Sequence, residues 1–308
     1  MKHTNCAHTR VSILGGGLMG HGIAQVFMTA GFDVSIWDPA SSVRESISSR
    51  IAEHLAEMGD DRLINIRICD NLSECVAFSE LVVEAAPEKL AIKRDLIREI
   101  ESHNDSCIIA TNTSVLRITE IAAASARPER VVGTHWWNPP YLMPLVEVVR
   151  GEKTSEETAR QTSAWLERAG KTPVDIYRDV PGFVGNRMQF ALVREAAHIV
   201  EEGICSPETV DLVARLTFGR RLSAIGPLQN ADFIGLDLTS DIMNYLMPFL
   251  SDSKEAPQLF QRSLVKRNFG AKSGKGIFEW KDSDQANIEK RLVQHLMQID
   301  ANDRESQG

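Results

Sequence analysis

The sequence predicts an α/β fold: a doubly wound, mostly parallel sheet followed by an all-α region. Three observations carry this prediction. Short runs of β-branched and apolar residues alternate with helix-forming stretches as far as residue 182, the pattern of repeated βαβ units. A glycine-rich turn joins the first run directly to the first helix. Beyond residue 182 no β-rich stretch appears.

The elements follow in order. "VSIL" is a short apolar run of the type found in buried parallel strands, and "GIAQVFMTAG" is a helix closed by Gly31. "DVSIW" makes the second strand, with Asp38 at its end. "SELVVEAAP" is a strand ending near Pro87, followed by the mixed-charge helix "EKLAIKRDLIREIE". "CIIATNTS", "RVVGTHWW" and "PLVEVV" are further strands, and a last one leads into "DVPGFVGNR". There a long apolar-striped helix begins, ended by Gly203, and "SPET" opens the next, with Ser206 as N-cap and Pro207 in the first turn. The predicted division is a sheet domain over 1–182 and a helical domain over 183–308, with a charged tail, about 299–308, left disordered.

Composition narrows the function. A chain of 308 residues, 43% hydrophobic and 25% charged, buries a substantial core. Its net charge of −8 argues against nucleic acid or an anionic membrane as the main partner. The five cysteines show no C-x-x-C pair, which fits free thiols in a reducing cytoplasm. Histidine spacing gives no metal motif, and no stretch has the length of a membrane span. The expectation is a cytoplasmic protein that binds a small molecule without a metal.

The glycine turn has a specific chemistry. Gly15, Gly17 and Gly20 form G-x-G-x-x-G around Leu18 and Met19. Gly15 permits the turn, Gly17 admits a pyrophosphate to the backbone, and Gly20 lets helix and strand pack closely. The helix N-terminus offers free N–H groups and a positive dipole end to phosphate. Asp38 suits the adenosine ribose hydroxyls and repels a 2′-phosphate, so the Rossmann-type reading favours NAD over NADP. Ligands in such sheets lie beyond the carboxyl ends of the strands, where the loops at Ala86–Glu88, Asn112–Ser114 and His135 converge.

At these residues the chain resembles the L-3-hydroxyacyl-CoA dehydrogenase family. The resemblance rests on "ILGGGLMGHGIAQ", "VVEAAPEKLAIK", "TNTSVLRITEIA", "RPERVVGTHWWNPP", "PLVEVV", "DVPGFVGNR", "IGPLQNADFIGLD" and "NFGAKSGKGIFEW", in family order. It implies a catalytic pair, His135 as general base and Glu147 as its orienting partner. It also implies that Ser114 and Asn186 meet the substrate oxygen. Glu88, Lys93 and Asn138 would then stand on the cofactor side, Glu88 and Lys93 toward the nicotinamide ribose, beside Ala86, Asn112 and Ser114 of the converging loops. Trp136 and Trp137 stand where the family usually has two phenylalanines and would wall the pocket. The resemblance further implies a homodimer formed through the helical domain. Histidine suits the base because its ordinary pKa lies near working pH. Ser114 and Asn186 also read as ordinary helix caps.

Two departures bear on the substrate. The segment between Asp38 and "NLSECVAFSELVVEAA" is short for a family member that receives CoA there, and its acids (Glu45, Glu53, Glu57, Asp60, Asp61) outnumber its arginines. "NPPYLMPLVEVV" is similar to branches acting on small free acids: L-gulonate and L-carnitine dehydrogenases, the related lens crystallin, and a dehydrogenase of pyridoxine breakdown. The expected substrate is a small 3-hydroxy acid. The alternatives are a short-chain L-3-hydroxyacyl-CoA and, further off, a non-catalytic crystallin-like role.

Overall fold

The computed structural model describes residues 9–307. The chain runs β1 (Arg10–Leu14), α1 (Gly20–Thr29), β2 (Asp33–Trp37), α2 (Ser41–Glu57), β3 (Ile66–Ile68), α3 (Leu72–Val76), β4 (Leu81–Glu84) and α4 (Leu90–His103). It continues through β5 (Ile108–Thr111), α5 (Ile118–Ala122), β6 (Val131–Trp136), β7 (Leu145–Val149), α6 (Glu156–Arg168), β8 (Thr172–Ile176) and α7 (Gly185–Glu201). The eight strands form one sheet in the order β3-β2-β1-β4-β5-β6-β7-β8. All pairings are parallel except β6 with β7, where the chain turns back on itself.

The strands lie between two apolar layers, which is why their sequences read as near-continuous apolar runs. One layer packs Ile23 and Phe27 of α1, Ile47 and Ile51 of α2 and Leu166 of α6 on Ile13, Val34 and Val146. The other packs Ile97 and Ile100 of α4 and Ile118 and Ile121 of α5 on Val82, Ile109 and Val149. Each such side chain contributes about 1.5–3 kcal/mol by leaving water. The short segment after Asp38 is a single helix, α2, and a three-residue edge strand, β3. Only Ile47, Ile51 and Leu55 of α2 are buried, too narrow a stripe to have marked the helix in the sequence.

Contacts divide the chain into two compact units. One runs to Asn186 and includes the residues from Val293 onward; the other is Arg187–Leu292. The division falls later than residue 182 because the stretch up to Asn186 is tied to the sheet by hydrogen bonds to Glu147 and Ser114. The second unit is helical: α8 (Pro207–Leu216), α9 (Phe218–Leu222), α10 (Pro227–Ile234), α11 (Leu236–Leu246) and α12 (Gln258–Val265), with α13 (Asp282–Gln307) leaving it. Ser206 caps α8 by accepting from the Thr209 N–H, with Pro207 at the first position. Of the tail expected to be disordered, 299–308, the described residues continue α13 to Gln307, and Gly308 lies outside the described residues. From Asp282 the run contains no glycine or proline, and a Gln285–Glu289 pair one turn apart supports it.

Candidate active site

The carboxyl ends of β1, β2, β4, β5 and β6 open on one crevice, which begins at the glycine turn. Gly15 has φ +101, and a Cβ there would stand 2.7 Å from the Ala85 carbonyl oxygen. A Cβ on Gly20 would stand 1.7 Å from the Gly15 oxygen, so that position is glycine for close packing. At Gly17 nothing lies within 4 Å, which leaves the backbone open to a ligand. Leu18 is exposed, whereas Met19 packs on the core. Asp38, just past β2, accepts from the Gly16 N–H at 2.8 Å and the Ala40 N–H at 2.9 Å. Its carboxylate is thereby held beside the turn with lone pairs to spare. An open amide cradle with a fixed acid at the end of β2 fits a dinucleotide.

His135 and Glu147 are directly paired across β6 and β7. Glu147 Oε2 meets His135 Nδ1 at 2.5 Å, and both residues are buried. The second carboxylate oxygen accepts from the N–H groups of Val184, at 3.0 Å, and Gly185, at 3.1 Å. Burial would raise the Glu147 pKa, but the bonds from His135, Gly185 and Val184 outweigh it and hold the group below the ordinary carboxylate range. The acid is therefore an anion that fixes one imidazole nitrogen and leaves Nε2 as the free one.

Around the dyad the loops are held by two further acids. Glu88 accepts from the Thr113 hydroxyl at 2.5 Å and from the N–H groups of Ser114 and Val115 at 3.0 and 3.1 Å. Burial opposes its ionisation, yet the Thr113 bond, the Lys93 charge and the two amides lower its pKa. Asn186 Nδ2 donates to the Ser114 carbonyl at 3.0 Å, so Ser114 and Asn186 are brought together. Neither side chain acts as a cap: α5 starts at Ile118 with Arg117 at its N-cap, and Asn186 lies inside α7.

Lys93, expected at the nicotinamide ribose, has no exposed surface. Its ammonium pairs with Glu84 at 2.9 and 3.1 Å and reaches the carbonyls of Ala86 and Asn112 at 3.4 and 3.5 Å. It joins the loops after β4 and β5 from behind. Glu84, which also accepts from Thr111 at 2.6 Å, was missed in the sequence. The signal was present: like Glu147 within β7, it is a lone acid in an otherwise apolar strand, here at the end of β4. Asn112 Oδ1 accepts from the Trp136 N–H at 3.2 Å, locking the β5 and β6 ends together. Asn138 is exposed at the start of the next loop.

Trp136 corrects an expectation. Strand alternation sends it to the face opposite His135, where it is buried in the core against Phe27. Trp137 alone shares the His135 side, with ring centroids 4.9 Å apart. Among the described residues no cluster of three or more His, Cys, Asp or Glu side chains is arranged to hold a metal, and no helix is long and apolar enough to cross a membrane.

Fold and crevice together define an NAD-dependent oxidoreductase of the type that acts on CH–OH groups. Comparison with known proteins gives its lineage. The model of the 3-hydroxyacyl-CoA dehydrogenase NAD-binding domain matches residues 10–180, and that of the family's C-terminal domain matches 182–280. The chain belongs to the 3-hydroxyacyl-CoA dehydrogenase family. It is 39% identical over 285 residues to a probable 3-hydroxybutyryl-CoA dehydrogenase of Bacillus subtilis, covering 89% of this chain and 98% of that one. Among solved structures it is similar to 5-formyl-3-hydroxy-2-methylpyridine 4-carboxylic acid 5-dehydrogenase, an NAD+-dependent dismutase, with a TM-score of 0.89 and 31% identity over 95% of this chain and 97% of that one. It is also similar to (S)-3-hydroxybutyryl-CoA dehydrogenase of Ralstonia eutropha, with a TM-score of 0.74 and 30% identity over 90% and 100%.

Proposed function

We propose that the chain oxidises a small hydroxy acid carrying its own carboxylate, with His135 as general base and Glu147 as its orienting partner. The observation that carries the catalytic part is the buried His135–Glu147 contact at 2.5 Å, which leaves Nε2 to receive the substrate's hydroxyl proton. NAD, when bound, supplies the carbon that accepts hydride. Glu147 stabilises the imidazolium that proton transfer creates. Ser114 and Asn186, joined at 3.0 Å, orient the substrate oxygen. Gly15, Gly17, Gly20 and Asp38 would hold the adenosine diphosphate half of the cofactor. Leu18, Met19 and Ala86 would pack beside it, and Glu88, Asn112 and Asn138 would stand on the nicotinamide side. Lys93 acts on that side by fixing the Ala86 and Asn112 loops.

The substrate class rests on α2. Its two arginines point inward: Arg44 donates to the Asp38 carbonyl and Arg50 to that of Gly16. In the loop beyond, Arg62 is paired with Asp60. Glu45, Glu53, Glu57, Asp60 and Asp61 outnumber these three arginines, so the surface carries net negative charge, which disfavours the 3′-phosphate of CoA. The similarity to a dehydrogenase named for a pyridine carboxylic acid supports the same reading. The second reading, a short-chain 3-hydroxyacyl-CoA substrate, is favoured by the name of the Bacillus subtilis relative. NADH formation with free hydroxy acids, compared with 3-hydroxybutyryl-CoA, separates them; a strong preference for the thioester ends the free-acid proposal.

We read the protein further as a cytoplasmic homodimer. Within Arg187–Leu292 Ala197 is the one buried residue among those described, while Phe190, Leu228, Phe233, Tyr245 and Phe249 are exposed. A helical unit without a core of its own needs a second copy to cover it. Light scattering on the purified chain tests this. The free thiols Cys69, Cys75, Cys107 and Cys205 fit a reducing compartment; Cys6 lies outside the described residues.

A further inference from the structure

Gly185 is glycine for a reason that its backbone does not supply. It stands at the first position of α7, where glycine is a poor helix former, and its φ is not in the left-handed region. Space is the reason. A Cβ on Gly185 would lie 2.3 Å from Cζ2, 3.0 Å from Cη2 and 3.3 Å from Cε2 of Trp137. The indole is thus held between the Gly185 backbone and the His135 ring.

Neither side of this sandwich yields easily. Gly185 is fixed from behind, its N–H donating to Glu147 at 3.1 Å. The loop that carries Trp137 is fixed at three further points. Pro140 presses on Gly22, where a Cβ would lie 2.6 Å from the proline Cγ. Tyr141 stacks on His54 with ring centroids 4.2 Å apart. Lys171 donates to the carbonyls of Pro140 and Met143 at 2.7 and 3.0 Å. Trp137 is only half-buried, and its ring lies 4.9 Å from that of His135.

We propose that Trp137 and Gly185 form a matched pair that sets the size of the substrate admitted beside His135. Trp137 is the specificity-determining wall. Gly185 is a positioning residue that makes room for the indole while keeping its N–H on Glu147. The proposal rests on the dehydrogenase reading of the dyad and names a limit on the substrate's bulk at that wall.

The test is a double-mutant cycle of wild type, W137F, G185A and W137F/G185A. Each is assayed for NADH formation on straight-chain 3-hydroxy acids of increasing length, free and as CoA thioesters. In the wild type kcat/KM falls with length. W137F raises it for the longer members by roughly tenfold, the scale on which a pocket discriminates an added methylene. G185A alone lowers kcat about a hundredfold and displaces the pH profile, because the Glu147–amide contact is disturbed. Adding W137F to G185A restores kcat to within about threefold of W137F, the non-additivity expected of residues in contact. An unchanged length ranking in W137F, or a double variant as impaired as G185A, overturns the pairing while leaving the dyad intact. If no compound reduces NAD in any of the four, the dehydrogenase reading fails instead. The cycle is then read by thermal melting: a melting point lowered by G185A and recovered in W137F/G185A upholds the packing, and additive losses refute it.

Discussion

Replacing Glu147 with glutamine asks whether this acid orients a base or merely fills a buried position. The amide is isosteric and retains an oxygen that can accept from Val184 and Gly185, whose bonds to Glu147 are 3.0 and 3.1 Å long. What it removes is the anion 2.5 Å from His135 Nδ1. Its NH2 group then faces Nδ1, which must become an acceptor, and the ring proton moves to Nε2, where the base should be empty. In other base–orienter pairs this wrong tautomer costs about 10⁴-fold in kcat; a loss of roughly 10³–10⁴-fold is expected here, or about 4–5 kcal/mol in the barrier. Stability should fall far less, by about 1–3 kcal/mol, because one charge-assisted bond is weakened and two amide bonds persist. The assay is NADH formation under saturating NAD, paired with thermal melting and with NAD binding by fluorescence quenching. Activity within threefold of wild type would refute the orienting role. A collapse of melting point and NAD binding together with activity would show a structural acid instead.

Other outcomes follow from the same geometry. H135A should abolish turnover while leaving NAD affinity within about twofold, since the glycine turn does not depend on it; an unchanged rate identifies another base. Asp38→Ala should weaken NAD by about 10–100-fold through lost ribose contacts and narrow the NAD/NADP preference, read by titration with both cofactors. Lys93→Met leaves Glu84 as an unpaired buried anion and should cost about 3–5 kcal/mol in urea unfolding, much of it recovered by adding Glu84→Gln. His54 is held down to about 4 by burial, by His21 and by Arg50. The unfolded chain therefore takes up that proton first: stability is complete above about 6.5 and declines as pH falls toward 4. The loss is on the order of 1–2 kcal/mol after discounting for partial exposure, and His54→Leu should flatten that limb of the melting curve.

The sequence exposed whatever was periodic or bounded by glycine. β1, α1 and β2 were legible because each carries its own signal: a branched apolar run, a glycine-initiated helix, an acid after the strand. The dyad was legible because Glu147 interrupts an apolar alternation, and a solitary acid there calls for a buried partner. β3 and α2 were not, because a three-residue edge strand and a helix burying only Ile47, Ile51 and Leu55 leave little hydrophobic pattern. Spacing puts Lys93 beside the cofactor loops, where it lies, but spacing does not tell that its ammonium bonds the Ala86 and Asn112 carbonyls and the buried Glu84.

Trp136 and Trp137 show where the boundary between sequence and structure falls. Adjacent and chemically identical, they invite a single role, yet strand geometry sends one into the core and the other to the imidazole. Alternation alone would have divided them, given that His135 faces the crevice. What alternation could not supply is the reason Trp137 fits. That depends on Gly185, nearly fifty residues along the chain and tied to the same carboxylate that orients the base. Glu147 therefore does two things with two oxygens: one fixes the imidazole, the other fixes the backbone against which the pocket wall rests. A substitution that loosens either contact should change both rate and substrate size, so the chemistry and the selectivity of this site are to be measured on the same variants.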